Sequence, residues 1–171
     1  DTVRGLDVAR STAGELGIGF INGIELSTSF QNQCLHIVGL NIDPHSSSLT
    51  KGLEFQQDLR QERAIKISNK LEKKHIHGAY ETIRASIGNG EITRTHFAEF
   101  LVEKGYVQNL QSAFDHYLNK DKPAYVSTTW ASMEEGIQWI SDAGGIAVLA
   151  HPMRYKLSKK WMNKVVHAFK E

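Results

Sequence analysis

The chain has 171 residues, of which 40% are hydrophobic and 23% are charged, and its formal net charge is +1. These values are typical of one folded domain, with or without an insertion, and they exclude a disordered or fibrous protein. The small net charge does not indicate a strong nucleic-acid binder, which usually carries a basic face. A single cysteine excludes an internal disulfide and favours a cytoplasmic protein. No apolar run approaches the roughly 20 residues that a membrane-spanning helix needs.

The first 44 residues predict one helix followed by two strands. Apolar residues at helical spacing predict a helix over 4–16 that ends at Gly17. The apolar stretch 20–26 predicts a buried strand that ends at Glu25-Leu26-Ser27, and the polar residues 28–33 predict a turn. The next β-rich stretch, residues 35–42, predicts a second strand, which Asp43-Pro44 ends.

The pattern becomes helical and highly charged after residue 44. The spacing of apolar residues predicts a long helix over 49–76 and three shorter helices over 80–87, 95–104 and 110–119. Almost no strand signal interrupts this part of the chain. We therefore interpret residues 45–127 as an all-helical subdomain that is inserted between two parts of an α/β domain.

Residues 128–171 return to an alternation of helix and strand. Ser132-Met-Glu-Glu135 has the sequence of a capping box and predicts a helix that ends at Gly144-Gly145. The apolar run 146–150 is typical of a parallel strand buried on both faces, and it leads directly into His151-Pro152. Ser158 is expected to cap a last helix. This order of elements indicates part of a parallel α/β sheet or barrel.

Three polar side chains lie next to the predicted strands. Glu25 and His151 end two of the strands, and His36 begins the strand that follows Glu25. Functional side chains of α/β proteins gather at the C-terminal ends of strands. One carboxylate and two imidazoles suit Zn, Mn or Fe, so these residues are candidate metal ligands. Taken alone, Glu25 or His36 is more often an ordinary surface residue, and spacing by itself leaves both interpretations open.

Longer motifs surround the three candidate ligands. Residues 22–27, 36–40 and 150–155 resemble, in this order, successive motifs of the PHP (polymerase and histidinol phosphatase) family. Residues 93–97 resemble a motif of its subgroup of nucleoside 3′,5′-bisphosphate phosphatases and 5′-to-3′ exoribonucleases of the ribonuclease AM type. The resemblance implies a partial, distorted (β/α)7 barrel, truncated at both ends, with barrel parts at 1–44 and 128–171 and the helical subdomain between them.

The resemblance also implies roles for individual residues. Glu25 would bridge two metal ions, and His36 and His151 would each bind one, in a cluster of two or three divalent ions. Manganese is the expected metal, with zinc or iron as alternatives. Arg94 and Arg154 would bind substrate phosphate, because guanidinium offers two parallel hydrogen bonds, and His96 would also face the substrate. The alternatives are a surface ion pair for each arginine and core packing for His96, and no further catalytic residue is expected.

The chain departs from the family's motifs at both ends. Neither an HxH pair nor the Asp that follows it precedes Asp1, the Asp-x-His motif near the family's C-terminus is absent, and Met153 replaces a frequent Gly. We therefore expect an internal fragment of a longer protein, with three ligands and weak or no activity of its own. Exposed strand edges would favour self-association of this fragment.

The function that these motifs imply is that of a metal-dependent phosphoesterase. The intact protein would hydrolyse a nucleoside 3′,5′-bisphosphate or the 5′ end of a short RNA in the cytoplasm, without a membrane partner. One alternative is another chemistry of the family, such as histidinol-phosphate hydrolysis or a polymerase-associated exonuclease. A third possibility is a non-catalytic nucleotide- or RNA-binding module, because about half of the expected ligands are absent.

Overall fold

The computed structural model describes residues 1–155 and 157–170 and contains both helices and a sheet. In chain order the elements are α1 (Leu6–Glu15), β1 (Gly23–Phe30), β2 (Gln33–Leu40), α2 (Ser47–Glu72), α3 (Ala79–Ile87), α4 (Arg94–Glu103), α5 (Leu110–Ala113), a π-helical turn (Phe114–Leu118), α6 (Met133–Asp142), β3 (Ile146–Leu149), a 3₁₀ turn (Pro152–Tyr155) and α7 (Lys159–Lys170). The predicted mixture of helix and sheet is confirmed. No helix in the described part of the chain is both long and apolar enough to cross a membrane.

The described chain divides into two compact units. The sheet unit comprises residues 1–56 and 129–171, and the helical unit comprises residues 57–128. The division falls within α2, because Leu49 and Leu53 pack in the core of the sheet unit while Ile67 and Leu71 pack in the core of the helical unit. The sequence placed the limits at 44–45 and 127–128. That the helical part is inserted into a barrel stays a prediction.

The three strands form one sheet in the order β1-β2-β3, and both pairs are antiparallel. The prediction of a parallel strand buried on both faces is therefore wrong for β3. An apolar run does not define the direction of pairing, and Ile146 and Val148 are 66% and 41% exposed. These two side chains and that of Leu40 lie on the same face of the sheet, since Leu40 pairs with Ile146.

The turn between β1 and β2 is shorter than predicted. Only Gln31 and Asn32 form it, with φ angles of 46° and 67°, which is the left-handed conformation that a two-residue hairpin turn requires. The predicted turn over 28–33 is wrong because Thr28 stays within the strand. Thr28 is fully buried, and its hydroxyl donates a hydrogen bond to the carbonyl of Leu35 at 3.1 Å. Glu25 is consequently the third residue of β1 and does not end it.

One face of the sheet packs against α6. Two glycines allow this close approach: a Cβ on Gly39 would lie 2.9 Å from Cγ1 of Ile140, and one on Gly136 would lie 2.7 Å from Cγ2 of Thr28. The core on this side consists of buried apolar side chains from the sheet, from α2, α6 and α7, and from the segments that follow β2 and α6, namely Ile24, Leu26, Leu35, Ile37, Ile42, Leu49, Leu53, Met133, Ile140, Ala143 and Val165. The opposite face of the sheet is left more exposed.

The predicted limits of α6 and the predicted start of α7 agree with the structure. At the start of α6, the Ser132 hydroxyl accepts from the Glu135 amide at 3.1 Å, and the Glu135 carboxylate accepts from the Ser132 amide at 2.7 Å. Gly144 follows the helix with φ +69°. The Ser158 hydroxyl accepts from the Trp161 amide at 3.3 Å at the start of α7. The capping box, the glycine stop and the last cap are therefore confirmed.

The helical unit contains a core of its own. The regular elements within residues 57–128 are all helical, as predicted, although the predicted helix 110–119 consists of a short α5 and a π-helical turn. Its buried core residues are Ala64, Ile67, Leu71, Ile76, Ala79, Ile83, Ile92, Phe97, Ala98, Phe100, Leu101, Ala113, Leu118, Ala124 and Val126. By contrast, α1 in the sheet unit occurs where it was predicted but buries none of its residues.

Candidate metal centre

Glu25 and His36 lie on the more exposed face of the sheet, on neighbouring strands. The register of β1 and β2 pairs Ser27 with His36, and Glu25 is two residues before Ser27 in the same strand. Because directly paired residues share a face and side chains alternate along a strand, Glu25 and His36 point to the same side. The distance from His36 Nδ1 to Glu25 Oε1 is 2.9 Å. The hairpin of β1 and β2 therefore brings these two side chains into direct contact.

His151 reaches the same place from the third strand. The amide of Ala150 donates to the carbonyl of His36 at 2.9 Å, which fixes the end of β3 beside His36. The next residue, His151, has a φ of +34°, so the chain turns away directly after the strand. Its Nε2 lies 3.1 Å from Glu25 Oε1 and 3.3 Å from His36 Nδ1. The three donor atoms thus form a compact triangle, which we call the Glu-His-His cluster.

The donor set and its spacing fit a divalent metal ion. Ligand atoms that each lie about 2.0 to 2.2 Å from a common ion are themselves about 3 Å apart, as are the atoms of this triangle. Two imidazoles and one carboxylate suit borderline ions such as Zn, Mn and Fe. The side chains of Glu25, His36 and His151 are 49%, 37% and 36% exposed, so solvent or a substrate can reach them. Metal binding by the cluster stays a prediction.

Tyr155 lies directly beside the cluster. Its hydroxyl accepts a hydrogen bond from the backbone amide of His36 at 2.8 Å, and its ring centroid lies 5.3 Å from that of His151. The pKa of Tyr155 lies above its usual value, mainly because the side chain is partly buried, although the hydrogen bond from the His36 amide opposes this rise. This hydrogen bond was not predicted from the sequence. The only signal for it was the position of Tyr155 four residues after a candidate ligand.

The predicted substrate-binding residues occupy different parts of the chain. Arg154 is exposed in the 3₁₀ turn after His151, and its amide donates to the carbonyl of His151 at 2.9 Å. Arg94 is the half-buried first residue of α4 in the helical unit. His96 has a structural role there, because its Nδ1 accepts from the Thr93 amide at 3.0 Å and completes a capping box. Substrate binding by these three residues stays a prediction.

The outer edge of β1 is covered. The Asp1 carboxylate accepts from the Ser27 amide at 2.5 Å, the Gln56 side chain donates to the Ser27 carbonyl, and the Ala131 carbonyl accepts from the Ser29 amide at 2.8 Å. These contacts hold the strand that carries Glu25. The outer edge of β3 differs, because within the described residues no backbone hydrogen bond reaches the outward-pointing groups of 147 and 149.

Comparison with known proteins supplies relatives but no family model, since none of the family models searched matches the chain. The chain is 44% identical to a 5′-3′ exoribonuclease of Haemophilus influenzae, over 99% of this chain and 62% of that protein. It is 41% identical to a 3′,5′-nucleoside bisphosphate phosphatase of Chromobacterium violaceum, over 99% of this chain and 60% of that protein. The chain is a homologue of these two enzymes. The resemblance that the sequence motifs indicated is thereby confirmed.

A further relative is the 5′-3′ exoribonuclease Rnm of Escherichia coli, which is 40% identical over the whole of this chain and 59% of its own length. The chain therefore spans about three fifths of the length of the curated relatives that it matches. Homology thus covers every residue that carries the site, but it covers only part of each relative.

Two solved structures share the fold. One, an amidohydrolase from Chromobacterium violaceum with bound sulfate and no metal, has a TM-score of 0.90 and 40% identity, and the match covers 98% of this chain and 60% of that one. The other, a Bifidobacterium adolescentis protein proposed to be a metal-dependent phosphoesterase, has a TM-score of 0.84 and 24% identity over 97% and 60% of the two chains. At that identity the second structure supports the fold alone.

Proposed function

We propose that the protein containing these residues is a metal-dependent phosphoesterase of the PHP family. Its substrates would be nucleoside 3′,5′-bisphosphates or the 5′ end of a short RNA. The observation that carries this proposal is the Glu-His-His cluster, which occurs in a chain 40–44% identical to enzymes named for these activities. The proposal includes a partial, distorted (β/α)7 barrel with the predicted inserted subdomain at 45–127.

Glu25, His36 and His151 would hold the metal, with manganese as the expected ion and zinc or iron as alternatives. Two or three bound ions would lower the pKa of a coordinated water and offset the charge of the phosphate during an in-line displacement. Glu25 has two carboxylate oxygens and would bridge two of the ions. Oε1 of Glu25 lies within 3.1 Å of one nitrogen of each imidazole, so this carboxylate is close to both of the other proposed ligands.

Arg154 is the proposed phosphate-binding residue of the sheet unit. It is exposed and lies three residues after His151, so its guanidinium extends from the same turn that presents a metal ligand. A guanidinium can bind a phosphate through two parallel hydrogen bonds and so orient it for attack. For Arg94 and His96, the proposed contact with substrate rests on the motif resemblance and not on geometry.

The test is hydrolysis, in the presence of Mn²⁺, by the purified protein that contains these residues. Phosphate release from a nucleoside 3′,5′-bisphosphate and nucleotide release from a 5′-labelled RNA are measured for the wild type, Glu25→Ala and His151→Ala. We expect each variant to lose activity by about 100-fold or more, because it lacks a metal ligand. Matched controls are Glu134→Ala and His116→Ala, which remove exposed residues outside the cluster and should keep wild-type rates. Undiminished activity in both cluster variants would contradict the proposal that Glu25 and His151 are metal ligands of a phosphoesterase.

The substrate panel separates the two enzymatic alternatives. Histidinol phosphate is included among the substrates. A preference for it over nucleoside bisphosphates and RNA would favour the alternative of a histidinol-phosphate hydrolase. A non-catalytic module remains the other candidate, because the described residues supply only three clustered donors. Binding of nucleotide or RNA without turnover, in a protein that retains no stoichiometric metal, would favour that module. A tightly held metal would contradict it.

Two further parts of the proposal concern the surroundings of the protein. We infer that the chain can associate with itself through β3, whose outer edge and exposed apolar residues are available in the described structure. The predicted cytoplasmic location rests on the use of a single cysteine and stays a prediction.

A further inference from the structure

We propose that Tyr155 is a positioning residue for the candidate metal centre. Its hydroxyl holds the backbone of His36 and its ring lies beside His151, so one side chain maintains the separation of two imidazoles. This inference rests on the proposed function, because it assigns a role at the same metal site. It assigns Tyr155 no contact with the substrate or with the reacting atoms.

The pattern of hydrogen bonds between β2 and β3 determines where the His36 amide points. In an antiparallel pair, the N–H and C=O groups of one residue point to the same neighbouring strand. The carbonyl of His36 accepts from the amide of Ala150, so the amide of His36 also points to the side of β3. If the ladder continued, the carbonyl of Ala150 would accept from that amide.

The Tyr155 hydroxyl takes the place of that carbonyl. The chain leaves the sheet at His151, whose φ is +34°, and returns through the 3₁₀ turn Pro152–Tyr155. The hydroxyl then accepts from the His36 amide at 2.8 Å. A side chain therefore makes the last hydrogen bond of the ladder, at the residue that carries one of the candidate ligands. Loss of the hydroxyl would leave this amide without its acceptor.

Tyr155 also lies beside the second imidazole, that of His151. The ring of Tyr155 is tilted by 54° against the ring of His151, with a centroid separation of 5.3 Å. The same ring is half-buried and packs against the core of the sheet unit, which fixes its position. The backbone of the turn is closed by the bond from the Arg154 amide to the His151 carbonyl. Tyr155 thus connects both imidazoles to the core.

We expect Tyr155 to act on metal binding through the distance between the two imidazoles. His36 Nδ1 and His151 Nε2 lie 3.3 Å apart, and a shared ion tolerates only small changes in this distance. Residues that orient metal ligands from behind typically change metal affinity or activity by about 10- to 100-fold when they are removed. We expect an effect of that size from the hydroxyl of Tyr155 alone.

The experiment uses Tyr155→Phe, which removes the hydroxyl and keeps the ring. Binding of Mn²⁺ is measured from the electron paramagnetic resonance spectrum of the free ion, and the hydrogen exchange of the His36 amide is followed by NMR. We expect metal affinity to fall by about 10- to 100-fold and the His36 amide to exchange faster. Raising the Mn²⁺ concentration by the same factor should restore hydrolysis. The matched control is Tyr117→Phe, a half-buried tyrosine that packs in the core of the helical unit.

The outcomes separate this inference from the proposed function. If the wild type binds no Mn²⁺, the metal site is wrong and the positioning role fails with it. If the wild type binds Mn²⁺ and Tyr155→Phe binds it within about twofold of wild type, only the role of Tyr155 is wrong. A wild-type His36 amide that exchanges as fast as an unprotected amide would overturn the inference without any variant, even if Tyr155→Phe fails to fold.

Discussion

His36 Nδ1 and His151 Nε2 lie 3.3 Å apart, although 115 positions separate the two residues in the sequence. The pairing of β2 with β3 produces this proximity, because the backbone carbonyl of His36 accepts a hydrogen bond from the amide of Ala150, the residue before His151. Glu25 joins them through the hairpin of β1 and β2. β1 and β2 therefore contribute one donor each, the third donor follows β3, and the site depends on the register of both strand pairs.

A charge-removing change at Glu25 should weaken metal binding more than it weakens the fold. Glu25→Gln keeps the size of the side chain but exchanges an anionic ligand for a neutral amide, which is a poor ligand for Zn, Mn or Fe. We expect the affinity for Mn²⁺ to fall by about 100-fold, measured by calorimetric titration. Glu134→Gln, at an exposed position of α6, serves as the control. Equal affinities for the two variants would contradict the assignment of Glu25.

The candidate site was more predictable from the sequence than the sheet that carries it. A carboxylate and two imidazoles beside apolar runs made Glu25, His36 and His151 candidates, and the motif resemblance made them the expected ligands. The structure clusters the three side chains, while metal binding stays a prediction. The direction of β3 was predicted wrongly, because its apolar residues suit either a buried parallel strand or an exposed antiparallel one. Strand direction depends on long-range pairing, which no local pattern encodes.

The hydrogen bond of Tyr155 illustrates the same limit. A tyrosine after a strand can pack, stack on a ligand or complete a sheet, and the choice depends on where the His36 amide points. The predicted turn over 28–33 failed for a related reason. Thr28 has a polar side chain, but its hydroxyl donates a hydrogen bond to the Leu35 carbonyl within the hairpin, so the strand continues through this residue. Caps and glycine stops were predictable because their partners lie three or four residues away.

Gly39→Ala should destabilise the sheet unit. The added Cβ would lie 2.9 Å from Cγ1 of Ile140 and 3.2 Å from two other carbons of that side chain, so α6 or the strand must shift. We expect the free energy of unfolding to fall by about 1 to 3 kcal/mol, measured by urea denaturation. Gly14→Ala in α1 is the control, because nothing lies within 4 Å of its added Cβ. It should be neutral or stabilise by about 0.5 to 1 kcal/mol.

The double variant Gly39→Ala/Ile140→Ala checks the cause of that loss. Ile140→Ala removes Cγ1, Cγ2 and Cδ1, the three atoms that the added Cβ would meet, so the loss of stability in the double variant should be smaller than the sum of the two single losses. Additive effects would show that the destabilisation does not come from this contact.

Ser48→Ala should change how stability depends on acid. The pKa of Asp142 lies below its usual value, because the Ser48 hydroxyl and the Gln138 side chain each donate a hydrogen bond of 2.7 Å to its carboxylate. The bond from Ser48 makes the larger contribution. A lowered folded-state pKa stabilises the fold fully above the unfolded-state pKa, near 4, and this stabilisation is lost as the pH falls through the folded-state pKa. We expect Ser48→Ala to raise the pKa of Asp142, followed by NMR titration, and to make stability less sensitive to pH below about 4.

Ser46→Ala is the matched control for that measurement. Its hydroxyl donates to the backbone carbonyl of Asp142 at 3.4 Å and not to the carboxylate. It should therefore leave the pKa of Asp142 where it is. A similar shift in both variants would show that the Ser48 hydroxyl is not the specific cause.

Val148→Lys should reduce self-association of the chain. Three apolar side chains are exposed on the face of the sheet that also carries the candidate ligands: Val148 by 41%, Ile146 by 66% and Leu40 by 43%. Among the described residues, no backbone hydrogen bond covers the outer edge of β3. A charge on such a strand opposes edge-to-edge pairing and the burial of that apolar face. We expect light scattering to show oligomers of the wild type and a shift towards monomer for Val148→Lys. Val166→Lys, at a position of α7 that is 52% exposed, should associate like the wild type, and a wild type that is monomeric at all accessible concentrations would contradict the prediction.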